Sequence, residues 1–161
     1  MKFKRIVVPV DFSDSSQRAL QFAADLSKPF GAELIVLYVV EPVLYVVPDY
    51  SGAQSSALAQ LARDQMQAAR AELARIERRY ARRRIKLRTQ IGNGRPAQVI
   101  VDAAKQAKAD LIVMATHGRS GVSRLVMGSV AERVVRTATC PVLTLHSAAA
   151  PPLTRKRSAA K

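Results

Sequence analysis

Short apolar runs alternate along the chain with longer segments in which apolar residues recur every three or four positions. The first pattern is typical of β-strands and the second of helices that bury one face. The predicted strands are 4–10, 34–40, 85–91, 110–115 and 141–146. The predicted helices run from about 13 to 29, 56 to 83, 96 to 108 and 129 to 138.

The character of the strands indicates the kind of sheet. The runs 34–40 and 110–115 are apolar on both faces, as expected for central strands of a parallel sheet that helices cover on each side. The run 85–91 alternates apolar and polar residues, which is typical of an edge strand. Alternating strands and helices with right-handed crossovers predict a doubly wound, Rossmann-like α/β domain. We expect one five-stranded parallel sheet of order 3-2-1-4-5, with helices on both faces and ligands bound where the strand order reverses.

Turn and capping residues mark the ends of several elements. Ser13 is a favoured N-cap residue for the first helix, and Pro96 suits the first position of the third helix. Proline and glycine residues between 41 and 56 predict a long irregular connection, which we expect to be mobile. The sequence Gly-Asn-Gly at 92–94 predicts a turn directly after the third strand.

Composition favours a single domain with an aliphatic core. The chain has 161 residues, of which 48% are hydrophobic and only 5% aromatic, so Val, Ile, Leu and Ala must fill its core. We expect one domain from 1 to 146 and a disordered basic tail from 147 to 161, because the tail has few large apolar groups. The apolar run near the N-terminus is too short for a signal peptide and no other run predicts a membrane span, so we expect a cytoplasmic protein.

Cysteine and histidine are too scarce for several classes of site. One cysteine, Cys140, and two histidines, His117 and His146, exclude a disulfide framework and a zinc cluster. A lone thiol before a proline at the start of a buried strand favours a packing role for Cys140. The sequence shows no catalytic dyad or triad, so we predict neither catalytic residues nor a metal site made by protein side chains alone.

The net charge of +14 is concentrated in two places. Residues 63–88 contain ten basic and three acidic side chains, and residues 148–161 contain four basic and no acidic ones. The arginine-rich helix lacks interleaved aromatic residues, which favours a solvated face over binding of a phosphate backbone. The Arg-Lys-Arg motif at 155–157 predicts a weak, salt-sensitive attraction of the tail to nucleic acid or anionic lipid.

The segment between the fourth strand and the last helix carries the clearest binding pattern. Gly118 and Gly121 allow the backbone to approach a ligand closely, and Gly128-Ser129 begins a helix whose N–H groups and dipole favour an anion. The sequence therefore predicts a phosphate site here. The Gly-Lys-Ser/Thr of a P-loop is absent, so the charge of a triphosphate would be met by backbone donors, Ser129, a metal ion and a loop arginine.

Several motifs resemble those of the ATP-binding subgroup of universal stress proteins. They are Pro9-Val10-Asp11, the Gly94-x-Pro96 turn, ATHGRSG at 115–121, Gly128-Ser129, and CPVL at 140–143. The resemblance covers the chain from about 3 to 145. The family pattern is a glycine, two residues, a glycine, nine residues and Gly-Ser or Gly-Thr. Gly118 and Gly128-Ser129 match it, whereas Ala115 stands in place of the first glycine.

This resemblance implies an adenine nucleotide alpha hydrolase-like fold that binds ATP, with Mg²⁺, as a regulatory ligand without substantial turnover. Val39 and Met114 would lie against the adenine and Asp11 near the adenosine, with the start of the last helix around the phosphates. The implied set is Pro9, Val10, Asp11, Val39, Met114, Ala115, His117, Gly118, Arg119, Gly128, Ser129, Val130 and Ala131. Val39 and Met114 would also be core residues in any fold of this type.

Three of these features have a second interpretation. Ser129 followed by Glu132 matches a capping box, which would satisfy the amides of the helix instead of a ligand. Asp11 suits contact with adenosine, coordination of magnesium through water, or simple capping of the first helix. His117 can touch a phosphate when protonated, but a solvated or backbone-bonded loop histidine is the more common case.

Ala115 is the basis of an alternative function. An added methyl group disfavours positive φ, so it would either crowd the ribose or phosphates or be accommodated by a small shift. In the alternative, the same fold binds no nucleotide and only dimerises and docks on partner proteins. Both functions predict a homodimer, because 141–146 would be an exposed apolar edge strand, and the resemblance implies pairing of the last strands.

Overall fold

The computed structural model describes residues 3–41, 52–116 and 127–146, apart from the side chains of 52–58. Along these residues strands and α-helices alternate as the apolar pattern predicts. The strands are β1 (Arg5–Val10), β2 (Glu33–Val40), β3 (Leu87–Asn93), β4 (Leu111–Ala115) and β5 (Val142–Leu145). The helices are α1 (Asp14–Ser27), α2 (Gly52–Ala81), α3 (Pro96–Gln106) and α4 (Ser129–Thr137).

The five strands form one parallel sheet of order β3-β2-β1-β4-β5, which confirms the predicted order. The central strand, β1, is paired with β2 along its whole length, and the last pair is Val10 with Tyr38. On its other side β1 is paired with β4, where Ile6 lies beside Leu111. From β1 the chain adds β2 and β3 on one side and then crosses over to add β4 and β5 on the other. The strand order therefore reverses between β1 and β4.

Alternate side chains of the strands point to opposite faces of the sheet and form two cores. On one face, Val8 and Val36 belong to a core covered by α1 and α2. On the other, Val7 and Ile35 belong to a core covered by α3 and α4. All four side chains are fully buried. Burial on both faces explains why the central strands are continuous apolar runs.

The end of β3 differs from the prediction. Gly92 still pairs with Val39 of β2, and the chain turns only at Gly94, whose φ is +133°. A Cβ on Gly92 would overlap Cγ1 of Val99 in α3, so this glycine lets the helix approach the sheet. The prediction of a turn at Gly92 is therefore wrong, because the residue serves helix packing and not chain reversal.

The ends of the described ranges limit three other expectations. α2 begins at Gly52, so the last part of the predicted irregular connection 41–56 is helical, while residues 42–51 lie outside the described residues. The tail 147–161 also lies outside them, and its disorder and its attraction to polyanions stay predictions. Within the described residues, no helix combines the length and apolarity that a membrane span requires.

Candidate functional site

A cleft of about 230 Å³ lies at the carboxyl ends of β1 and β4, where the strand order reverses. Its lining residues are Pro9, Val10, Asp11, Ser16, Leu37, Val39, Pro96, Ile100, Met114, Ala115, Thr116, Gly128, Ser129, Val130 and Ala131. Ten of the thirteen residues implied by the family resemblance are in this lining. The other three, His117, Gly118 and Arg119, lie outside the described residues.

Apolar residues of three adjacent strands form the floor of the cleft. Pro9 of β1 is two residues from Val7 and so lies on the same face of the sheet, towards α3 and α4. Val39 of β2 and Met114 of β4 pack on this face as well, and Met114 is 5% exposed. An apolar surface that spans three strands suits an aromatic ring. Val39 and Met114 are therefore both core and lining, as the two interpretations of the sequence required.

Asp11 is held in place by the residue that caps α1. Its Oδ1 accepts hydrogen bonds from the backbone N–H of Ser13 at 3.1 Å and from the Ser13 hydroxyl at 2.6 Å. Ser13 is the N-cap, as predicted, because its Oγ accepts the N–H of Ser16 at 3.2 Å. Asp11 thus supports the cap indirectly while it lines the cleft. This orientation leaves the acid fixed beside any ligand on the apolar floor.

The start of α4 offers donors to the cleft. Within the described part of the chain, the N–H groups of Ser129, Val130 and Ala131 have no acceptor, and the first bond into the helix runs from Glu132 N to Gly128 O at 2.9 Å. Three such amides at a helix N-terminus carry partial positive charge and bind anions. The phosphate site that the sequence predicts is therefore geometrically open at these residues.

The structure contradicts the capping-box interpretation of this helix. Gly128, not Ser129, is the N-cap, and no side chain caps the first turn. The Glu132 carboxylate instead pairs with Arg136 at 2.6 Å. The capping box is therefore wrong, because the helix begins one residue earlier than the spacing assumed, so Ser129 is its first residue and not its N-cap. Gly128 lines the cleft, but its own N–H donates to the Thr116 carbonyl at 2.8 Å and is not available to a ligand.

Ala115 occupies its position without backbone strain. It is the last residue of β4 and pairs with Leu145 of β5. Among the described non-glycine residues, positive φ occurs at Phe12, Arg84 and Lys108 and not at Ala115. Its methyl group packs against the core on the α1 side of the sheet. The methyl group that distinguishes this alanine from the family glycine therefore contacts mainly core side chains.

Thr116 is a site residue that the sequence analysis missed. It is 8% exposed, lines the cleft, and donates its N–H to the Leu145 carbonyl at 2.9 Å. Its Oγ1 lies 3.3 Å from the carbonyl of Leu145 and 3.3 Å from Nδ1 of His146. A threonine that follows an apolar strand carries no distinctive signal. Only the pairing of β4 with β5 brings Thr116 to these atoms of Leu145 and His146.

The remaining candidate groups have structural roles. Cys140 is half-buried against the α3–α4 core, and burial raises the pKa of its thiol, with a smaller contribution from the Asp110 charge. A raised pKa lowers the thiolate fraction, which agrees with packing. No group of three or more metal-ligating side chains occurs among the described residues.

The arginine-rich helix is partly neutralised by neighbouring acids. Arg83 lies 3.2 Å from Asp25 of α1 and 5.3 Å above the ring centre of Tyr80, while Arg75 pairs with Glu72 within α2 at 2.6 Å. Pairs of this kind are exposed and contribute little to stability. They favour the solvated-face interpretation of the basic segment.

Comparison with known proteins agrees with this fold. The model of the universal stress protein family matches residues 2–146. The universal stress protein MJ0531 of Methanocaldococcus jannaschii is 38% identical over 141 residues, covering 88% of this chain and 81% of that protein. The structure of UspA from Lactobacillus plantarum superposes with a TM-score of 0.75 at 32% identity, covering 91% of this chain and 99% of that one.

One solved relative contains a nucleotide. A universal stress protein in complex with cAMP superposes with a TM-score of 0.57 at 27% identity, covering 91% of this chain and 98% of that one. The family match, the identity to curated relatives and the structural superposition agree with one another. The chain belongs to the universal stress protein family.

Proposed function

We propose that this protein binds ATP in the β1–β4 cleft and uses it as a regulatory ligand in the response to stress. The observation that carries the proposal is the set of three amides at Ser129, Val130 and Ala131, which have no acceptor among the described residues and border an apolar floor. A nucleotide has two parts that complement these features, an anionic phosphate chain for the amides and an aromatic base for the apolar floor. The relative solved with cAMP supports an adenine nucleotide as the ligand class.

The parts of the cleft divide the ligand between them. The adenine lies on Val39 and Met114, where an apolar surface excludes water from the ring faces. The ribose lies near Asp11, whose carboxylate is oriented by Ser13. The phosphates lie at the N-terminus of α4, where amides and the helix dipole offset their charge. A Mg²⁺ ion bound with ATP would neutralise charge that these amides do not reach.

Ligand binding would act on the two ends of one segment. Thr116 and Gly128 both line the cleft, and residues 117–126 connect this part of β4 to α4. A nucleotide that contacts both ends would stabilise their arrangement, in which the N–H of Gly128 donates to the carbonyl of Thr116 at 2.8 Å. The surface offered to partner proteins would then depend on whether ATP is bound.

We expect little or no hydrolysis of the bound ATP. The phosphate end of the cleft is lined, within the described residues, by backbone amides and Ser129. Asp11, the titratable side chain among the described lining residues, belongs beside the ribose in this arrangement and is already hydrogen-bonded to Ser13. A regulatory ligand that is released intact fits this arrangement better than a substrate.

The sheet edge at β5 supports a homodimer. In the described part of the chain β5 pairs with β4 alone, and its four side chains are all partly exposed. An apolar edge strand with unpaired N–H and C=O groups favours pairing with a second copy about a twofold axis. The dimer would place two nucleotide clefts beside one interface.

The test is direct. Freshly purified protein is denatured and the supernatant is separated by chromatography to identify any released nucleotide. Calorimetry on the emptied protein then compares ATP, adenosine and inorganic triphosphate at one ionic strength. We expect ATP to bind more tightly than either fragment, because only ATP occupies both parts of the cleft. Absence of bound nucleotide together with no measurable ATP binding would refute the proposal in favour of the docking module.

A further inference from the structure

The nucleotide cleft continues into a second groove of about 570 Å³. The two share Pro96, Ser129 and Val130, so the groove begins where the first turns of α3 and α4 meet. From there it follows one side of α4 as far as Thr137. A ligand bound at the N-terminus of α4 that extends beyond the cleft on this side therefore enters the groove. The family pattern and the cleft account for these three shared residues but not for the charged side chains of the groove.

Two arginines of this groove are available to a ligand. Arg95 is the N-cap residue of α3 but makes no capping hydrogen bond with its side chain. Arg133 lies on α4 one turn after Ser129. Both side chains are exposed, and neither guanidinium group has a hydrogen-bond or ion-pair partner in the described part of the chain. Arg136 also lines the groove, but Glu132 neutralises it at 2.6 Å.

The groove also contains an opposing charge. Glu41, directly after β2, is exposed and belongs to the same lining. It would repel an anion that the two arginines attract. The charges of Arg95, Arg133 and Glu41 therefore together determine how much more tightly the site binds a ligand whose anionic chain extends into the groove than a shorter ligand that occupies the cleft alone.

We propose that Arg95 and Arg133 bind the terminal phosphates of a polyphosphorylated nucleotide, and so make the site select di- and triphosphates over monophosphates. This inference rests on the proposed binding of a nucleotide in the cleft. The three free amides of α4 can serve the first phosphate, but the helix dipole falls off within one turn. Phosphates further along the chain need cations of their own, and guanidinium groups suit phosphate oxygens because they donate two parallel hydrogen bonds.

The experiment measures affinities for AMP, ADP and ATP by calorimetry at constant ionic strength, for the unaltered protein and for Arg95→Ala, Arg133→Ala and Glu41→Gln. Arg82→Ala is the matched control, because it removes the same charge from an exposed position directly after α2, away from both cavities. We expect each groove arginine variant to lose about threefold to tenfold in ATP affinity while AMP affinity changes less than about twofold. Glu41→Gln should change ATP affinity in the opposite direction.

The ratio of ATP to AMP affinity separates this inference from the proposed function. If AMP binds normally and the ratio is the same in all variants, the assignment of the groove is wrong while nucleotide binding stands. If the Arg82 control lowers the ratio as much as the groove variants, the effect is general electrostatics and the assignment is again wrong. If no nucleotide binds the unaltered protein, both proposals fail. Thermal melts confirm folding of these exposed-residue variants.

Discussion

The backbone N–H of Gly128 donates a hydrogen bond of 2.8 Å to the carbonyl of Thr116. This bond joins the residue after β4 to the N-cap of α4, although eleven residues separate them in sequence. It places the first amides of α4 directly beside the carboxyl end of the sheet. The end of the cleft at which we propose that the phosphates bind is therefore positioned by the backbone itself. Variants that remove a single amide from α4 test this proposal most directly.

Ser129→Pro should abolish most ATP binding without unfolding the protein. Proline is tolerated at the first position of a helix, and the φ of −62° and ψ of 147° at Gly128 are compatible with a following proline. The variant removes one free amide, so we expect a loss of about tenfold or more in affinity. Ser129→Ala keeps the amide and is the matched control. Equal affinities in the two variants would show that the amide does not contact the ligand.

Ala115→Gly should leave ATP affinity within about threefold of the unaltered protein. The alanine has no positive φ to relieve, and its methyl packs into the α1-side core. Glycine at this last position of β4 gains freedom in the unfolded chain and loses the packed methyl, so it instead lowers the free energy of unfolding by about 0.5 to 1 kcal/mol. Calorimetry and urea unfolding measure the two effects. A large gain in ATP affinity would mean that alanine blocks the site, and would favour the docking module.

Gly92→Ala should destabilise the fold by about 1 to 3 kcal/mol, because the new Cβ overlaps Cγ1 of Val99. Val99→Ala in the same chain should restore part of that loss, since it removes the overlapping methyl. Gly31→Ala is the control for a backbone effect alone, with φ of +62° and no atom within 4 Å of the added Cβ. Denaturant unfolding of the single and double variants measures the coupling. Additive losses at positions 92 and 99 would contradict the steric explanation.

Asp110 should make stability depend on pH at the acid end. Its Oδ2 accepts the N–H groups of Arg5 at 2.8 Å and Lys4 at 2.7 Å, and these bonds hold the pKa of the carboxyl below its usual value. A lowered folded-state pKa means that the contribution is fully present above the unfolded pKa of 3.8 and is lost as pH falls through the folded pKa. The difference in unfolding free energy between the unaltered protein and Asp110→Asn should therefore be constant well above pH 3.8 and shrink as the pH falls below that value. A difference that does not shrink below pH 3.8 would disprove this assignment.

Thr144→Pro should convert the proposed dimer to a folded monomer. Pro141 O and Leu145 O both accept N–H groups from the β4 side, so alternate residues of β5, including Thr144, direct their N–H groups to the free edge. Proline at such a position spares the β4–β5 ladder but removes a donor from the edge. Thr144→Val is the control, and light scattering after size exclusion measures the mass. A Thr144→Pro protein that remains dimeric would exclude β5 pairing.

The order of elements and the chemistry of the phosphate end followed from sequence because both are local. Apolar runs such as 34–40 identify buried parallel strands, and alternation with helices restricts the sheet to few topologies. Gly128-Ser129 at the start of a helix indicates free amides for the same reason, since every helix leaves its first N–H groups unpaired. The position of Asp11 at the carboxyl end of the sheet follows once β1 is recognised.

Tertiary contacts decided what local pattern left open. Gly128 and not Ser129 is the N-cap of α4, and its N–H is bonded to the carbonyl of Thr116 at the end of the sheet. The role of Gly92 likewise depended on Val99 of a different element. The pairing of Thr116 with residues near 145, and the meeting of two helix starts at Pro96 and Ser129, join positions far apart in the chain. Such contacts depend on the shape and spacing of the packed sheet and helices, and periodicity along a sequence carries no information about them.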